Sequence, residues 1–131
     1  MEFFNKWFES LLGKTGRKLN RNISASGECR KHTGPSIWFA AVTIDFSPND
    51  KFEVGDRLKP EIAKLTQDRG WYDYIVFGVL DVFLVSSTTP IRDFKLIIHE
   101  IDFNDIESNQ IAFRLAARNA ASKALDIYFP S

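Results

Sequence analysis

Cys29 and His32 stand three residues apart, and a thiol near an imidazole is the smallest set for nucleophilic chemistry, because the imidazole can take the proton that leaves a thiolate. No third group is placed to orient His32. A cysteine on a strand-like segment is also expected as a small core residue, so no enzyme is expected. Asp102, Asn104, Asp105 and Glu107 offer oxygen ligands for a cation. A calcium loop, however, needs a third ligand where Ile106 stands, a glycine where Glu107 stands and a closing glutamate where Phe113 stands, so neither a metal nor a cofactor is expected. Gly13-Lys14-Thr15 has the end of a phosphate loop, but its first glycine would fall on Phe8. What remains are groups that bind rather than react: Arg30, Lys31 and His32 beside a Gly-Pro turn, Asn104, Asp105 and Glu107 in an acidic loop, and Arg114 and Arg118 beyond it.

The elements that would carry these groups follow from composition and pattern. A chain of 131 residues, 44% hydrophobic, fits one domain with a sizeable core. Seventeen basic and seventeen acidic residues cancel, so no overall field drives the chain onto nucleic acid or acidic lipid. The charges are unevenly spread, since residues 1–33 hold seven Lys and Arg against three Glu. A single Cys29 excludes an intrachain disulfide, and acidic Glu2 with no long apolar core behind it leads to the expectation of a cytoplasmic protein. The apolar run Tyr74 to Val85 is broken by Asp81 and is too short to span a membrane.

Phe3, Phe4, Trp7, Phe8, Leu11 and Leu12 recur at helical spacing and predict a short amphipathic helix, followed by the basic run Gly13 to Arg21 as a solvated linker. Ile23–Lys31 and Ile37–Phe46 predict strands around the loop Lys31–Ser36. A short strand is expected at "KFEVG", a short helix after Pro60, a helix over "WYDYIVFGVLDVFLV", a strand over Ile91–Ile98, and a final helix capped by Ser108 or Asn109. Ala112, Ala116 and Ala120, four apart, give that helix a flat face on which a neighbour can approach closely. Arg114 and Arg118 would point away from it into solvent. The class is α+β, one antiparallel or mixed sheet with two helices on one face.

From Pro90 to Ala124 the sequence resembles domain IV of translation elongation factor G. Pro90, Asp93 and Lys95 match the strand. Phe103, Asn104, Asp105, Ile106, Glu107, Ser108 and Asn109 match its loop, and Ile111, Ala112, Phe113, Ala116, Ala120 and Ala124 match its helix. "IWFAAVTIDFSP" and "KFEVGDRL" are similar to upstream strands, whereas residues 59–70 do not align. The resemblance implies a left-handed crossover between parallel strands, against the right-handed form that physics favours in about 98% of such units. It also implies a tip, made of Lys31–Ser36 and Asp102–Asn109, that meets ribosomal RNA. The tip departs from the family: "KHTGPS" lacks the Arg-Gly-Gln run and Asn104 replaces the loop histidine. A standalone unit without the GTPase domain is expected.

The expected organisation is therefore an amphipathic helix and basic linker over 1–22 and a domain IV-like unit over 23–131. The expected function is non-catalytic binding of the ribosome or structured RNA through Arg30, Lys31, His32, Asn104, Asp105, Glu107, Arg114 and Arg118. The alternative is a module that binds a protein partner through the acidic loop or the N-terminal helix, or pairs with a second copy through Phe4, Trp7, Phe8 and Leu11. Because aromatics this concentrated mark an interface, removing residues 1–12 is expected to change solubility, stability or oligomeric state, as read by analytical ultracentrifugation and thermal melting.

Overall fold

The structure is a computed structural model, and it describes residues 17–86 and 90–130. Phe4, Trp7, Phe8 and Leu11, with the helix expected there, lie outside the described residues. Strands β1 (Ile23–Thr33), β2 (Ser36–Pro48) and β3 (Glu53–Asp56) are followed by helices α1 (Pro60–Asp68) and α2 (Trp71–Leu80). A π-helical segment (Asp81–Ser86), strand β4 (Phe94–Asp102) and helix α3 (Gln110–Tyr128) complete the order.

The four strands form one sheet in the order β1-β2-β4-β3, with β3 parallel to β4 and the other two pairings antiparallel. The mixed α+β class holds, and the short helix expected after Pro60 forms as α1 and packs against α2. Parallel neighbours cannot be joined by a tight turn. The connection from β3 to β4 therefore runs through α1, α2 and the π-helical segment. The described helices include none long and apolar enough to cross a membrane.

Alternation decides which face of the sheet is covered. Ala40, Val42, Ile44 and Phe46 on β2, with Phe94, Leu96 and Ile98 on β4, are buried beneath the helices, while Thr43, Asp45 and Lys95 between them are only half-buried. β4 carries a bulge: Ile44 pairs with Ile98 and Thr43 with Glu100, so His99 is the extra residue and Ile101 returns to the core side.

Alanines let α3 come unusually near this sheet. Ala112, Ala116, Ala117, Ala120, Ala121 and Ala124 are all fully buried. A Cβ on Gly27 of β1 would overlap the Ala116 carbonyl oxygen and the Ala120 amide, and one on Gly78 of α2 would overlap the Arg114 carbonyl. Glycine therefore faces alanine on both sides of the helix. Asn119 and Lys123 add hydrogen bonds from α3 to the β1 carbonyls of Glu28 (2.6 Å) and Ser26 (2.9 Å).

Larger side chains fill the ends. Phe46, Phe83 and Phe94 stack at one end with centroids 4.9–6.5 Å apart. At the other, Trp71 lies against Phe103 (5.4 Å) and Phe113 (4.7 Å). Offset and tilted ring pairs of this kind add to the stabilisation from area burial alone.

Residues 17–22, expected as a solvated linker, lie along the domain instead. The Arg17 amide donates to the Pro90 carbonyl (2.8 Å), Leu19 is buried, and the Tyr128 hydroxyl lies 2.8 Å from the Arg21 carbonyl. Burial pushes the Tyr128 pKa up to about 12, so the hydroxyl keeps its proton at neutral pH. One buried leucine anchors an otherwise charged run.

Replacing Ala116 with Leu is expected to lower stability by about 1–3 kcal/mol, because the added atoms have no space between α3 and β1. Chemical denaturation should show a lower midpoint with an unchanged slope.

Candidate functional site

At the end of the sheet that holds Trp71, the loop from β4 to α3 meets the α1–α2 junction at Arg69 and β2 at Phe39, on the arm that leads to the β1–β2 turn. The turn is tighter than the sequence implies. Thr33 pairs with Ser36, leaving only Gly34 and Pro35 outside the ladder. Gly34 has φ +62°, and proline cannot adopt positive φ, so the glycine-first II′ geometry fits and the I′ geometry does not.

The expected six-residue loop is thus strand, and Arg30, Lys31 and His32 alternate across the sheet instead of forming one patch. Arg30 lies over Phe39 on the open face, 4.4 Å from its centroid, and its Nε is 3.4 Å from Glu28. Lys31 is on the helix side, 5.7 Å from the centroid of Trp38. His32 returns to the open-face register opposite Ile37.

The β4–α3 loop is a built structure. Asn104 Oδ1 accepts hydrogen bonds from the amides of Ile106 (2.8 Å) and Glu107 (3.2 Å), an Asx turn that pins the loop from within. The Ser108 hydroxyl accepts from the Asn104 amide (2.9 Å) and donates to the Phe39 carbonyl (2.7 Å), while the Phe39 amide donates to the Glu107 carbonyl (3.1 Å). These two bonds to Phe39 fasten the loop to β2. Asn104, expected to hydrogen-bond a ligand, has its oxygen committed to the loop, which leaves its Nδ2 for outside partners.

Asp105 pairs with Arg69 at 3.4 Å, and the Gln110 side chain donates to the Arg69 carbonyl, so the α1–α2 junction is tied to the same loop. Ile106, at the apex, is 94% exposed. In the sequence it is only a loop position, and exposure of this degree has no signal in a pattern of residue types. Asn109 caps α3 by accepting from the Ala112 amide at 2.8 Å, as expected for one of the two candidates.

Arg114 and Arg118 are not simply solvated. Arg114 binds Asp81 with both Nε (2.7 Å) and Nη2 (2.8 Å), and Arg118 Nε binds the same carboxylate at 2.7 Å. Burial alone would raise the Asp81 pKa, but the hydrogen bonds from the two guanidiniums outweigh it and hold the carboxyl below its usual range. Cys29 is buried, and burial pushes its thiol up against a weaker opposing pull from Lys31, so it is a poor nucleophile. Among the described residues, no three His, Cys, Asp or Glu side chains converge as metal ligands.

No family model matches the chain. A crystal structure of a protein from Thermus thermophilus shares its fold. The match covers 80% of this chain and 16% of that one, with a TM-score of 0.70 and 20% sequence identity. The likeness is one of fold.

Asp81→Asn is expected to cost about 1.5–3 kcal/mol at pH 7, the range for hydrogen bonds to a charged group. Because the folded pKa lies below the unfolded one, this contribution is complete above about pH 4 and is lost as pH falls through the folded value. Melts of both proteins should therefore differ at pH 7 and converge in acid.

Proposed function

We propose that this protein is a non-catalytic binder of the ribosome or another structured RNA, built on a domain resembling domain IV of elongation factor G. The observation that carries the reading is the stitching of the β4–α3 loop to Phe39, the β2 residue paired with Arg30, which holds that loop at the end of the sheet from which the β1–β2 hairpin projects. Cations and amide donors on a rigid projecting end suit phosphate and base-edge contacts. The fold likeness to the Thermus protein supports a domain of this general kind. The left-handed path from β3 to β4 belongs to the same reading. It rests on the parallel pairing of those strands and on the ordered matches from Pro90 to Ala124.

The chain carries no net charge, so RNA binding here rests on local arrangement. Asp105 is partly offset by Arg69, which reduces the repulsion that the acidic loop would present to phosphate. A cytoplasmic setting follows from this reading.

A second reading has its own support. Ile106 is 94% exposed at the loop apex and Ile37 is 44% exposed on the adjoining strand, and such apolar side chains are what a protein partner would bury. In that case Asp105 and Glu107 would ring the contact and meet a basic protein surface.

Sedimentation with ribosomes at two salt concentrations separates the two. RNA binding predicts steep weakening with salt, and Lys31→Ala should reduce the slope by about one unit, since each phosphate contact releases roughly one counterion. Asp105→Lys should strengthen RNA binding but abolish binding to a basic protein. No sedimentation even at low salt would remove the ribosomal reading.

A further inference from the structure

Beside the tip, at the free edge of β1, a cleft of about 320 Å³ opens between β1 and α3, lined by Glu28, Cys29, Arg30, Lys31, Leu115, Arg118 and Asn119. Three of these residues are cations and one is a carboxylate. That carboxylate, Glu28, already has Arg30 at 3.4 Å, so the local balance is positive on a chain with no net charge.

Two side chains face the cleft from different elements. Lys31, on β1, lies near Trp38 and is paired with no carboxylate among the described residues. Arg118, on α3, is held by a single nitrogen. Arg114 takes both oxygens of Asp81 and Arg118 adds only its Nε, so its two terminal nitrogens remain donors without a described partner. Asp81 therefore orients the Arg118 guanidinium without using up its fork. An arginine fork fixed in this way is preorganised for an oxyanion, because less rotamer freedom is lost on binding.

The rest of the cleft suits the same ligand. Asn119 is anchored by its bond to the Glu28 carbonyl, and the Cys29 thiol is buried and neutral, so neither adds negative charge to the floor. The open face of the sheet carries both signs: Asp45, Glu100 and Asp102 lie in its outward register with Lys95 and His32.

We propose that the β1–α3 cleft is a phosphate-binding site that takes one phosphodiester group of an RNA backbone between Lys31 and Arg118. The proposal deepens the RNA reading and rests on it for the source of the phosphate. RNA would then run from the tip along the seam between β1 and α3 rather than stop at the loops.

The test is a nuclear magnetic resonance titration of the full chain with sodium phosphate, in parallel with sodium chloride at matched ionic strength. Phosphate should move the amides of residues 29–31 and 118–119 in a saturable way, and chloride should not. Lys31→Gln breaks no ion pair and is expected to weaken phosphate binding about tenfold, as for loss of one charge-assisted hydrogen bond. Arg118→Gln, checked for folding by its melt, should do the same. Equal responses to both salts, or shifts spread over other cations, would overturn the site.

A second titration uses an octamer of uridylate. Saturation of the same amides, with displacement by phosphate, supports the phosphodiester assignment, whereas phosphate binding without oligonucleotide binding overturns it in favour of a free anion. Neither titration uses ribosomes, so an intact cleft response combined with failure to sediment would remove only the ribosomal reading.

Discussion

The seat of α3 between two glycines is the constraint from which the other features follow. Gly27 and Gly78 remove side chains at the points where β1 and α2 meet the helix backbone, and alanines remove them from the helix itself. Contacts then form between backbone and methyl groups, where dispersion adds up over many close atom pairs and leaves little room for sliding. A helix held this way has a fixed rotation as well as a fixed distance. That rotation places Arg114 and Arg118 on the side of Asp81, and Asn119 and Lys123 over the carbonyls of β1.

The same helix sets the tip. Its first turn is capped by Asn109, and Phe113 in the next turn lies under Trp71, which in turn stacks on Phe103 at the end of β4. The loop between Phe103 and Asn109 thus springs from two anchored points. With both ends fixed, the Asx turn at Asn104 and the Ser108 hydroxyl need only order the few residues between them, so the conformational entropy lost there is small. The apex is presented rather than free to search, and this preorganisation lowers the cost of binding whichever class of partner it meets.

Much of this was legible in the sequence because it rests on local pattern. The alanines four apart marked a close-packed helix, Pro60 opened α1, and the run from Trp71 formed a helix despite its β-branched residues. The partners of those patterns were not legible. Gly27 reads locally as a weak point in a strand and Gly78 as one in a helix, and only the tertiary approach of α3 gives them a use. Asp81 and its arginines are separated by 33 and 37 residues, beyond any window of periodicity. The π-helical segment carries no composition signal that separates it from α-helix. At the turn, Gly34-Pro35 was visible, but the strands run up to it because the pair closes a two-residue hairpin, and that puts Lys31 on the other face from Arg30 and His32.

The bonds from Asn119 and Lys123 to β1 bear on how the sheet ends. An outermost strand offers a row of unpaired amides and carbonyls to any passing extended chain, which is the starting point for misassembly between copies. Here the carbonyls of Ser26 and Glu28, midway along that row, are already occupied by the domain's own side chains. At the opposite margin β3 is only four residues long, with Gly55 inside it. The middle of β1 is thus partly occupied and β3 is short, so each margin offers a reduced template for an added strand.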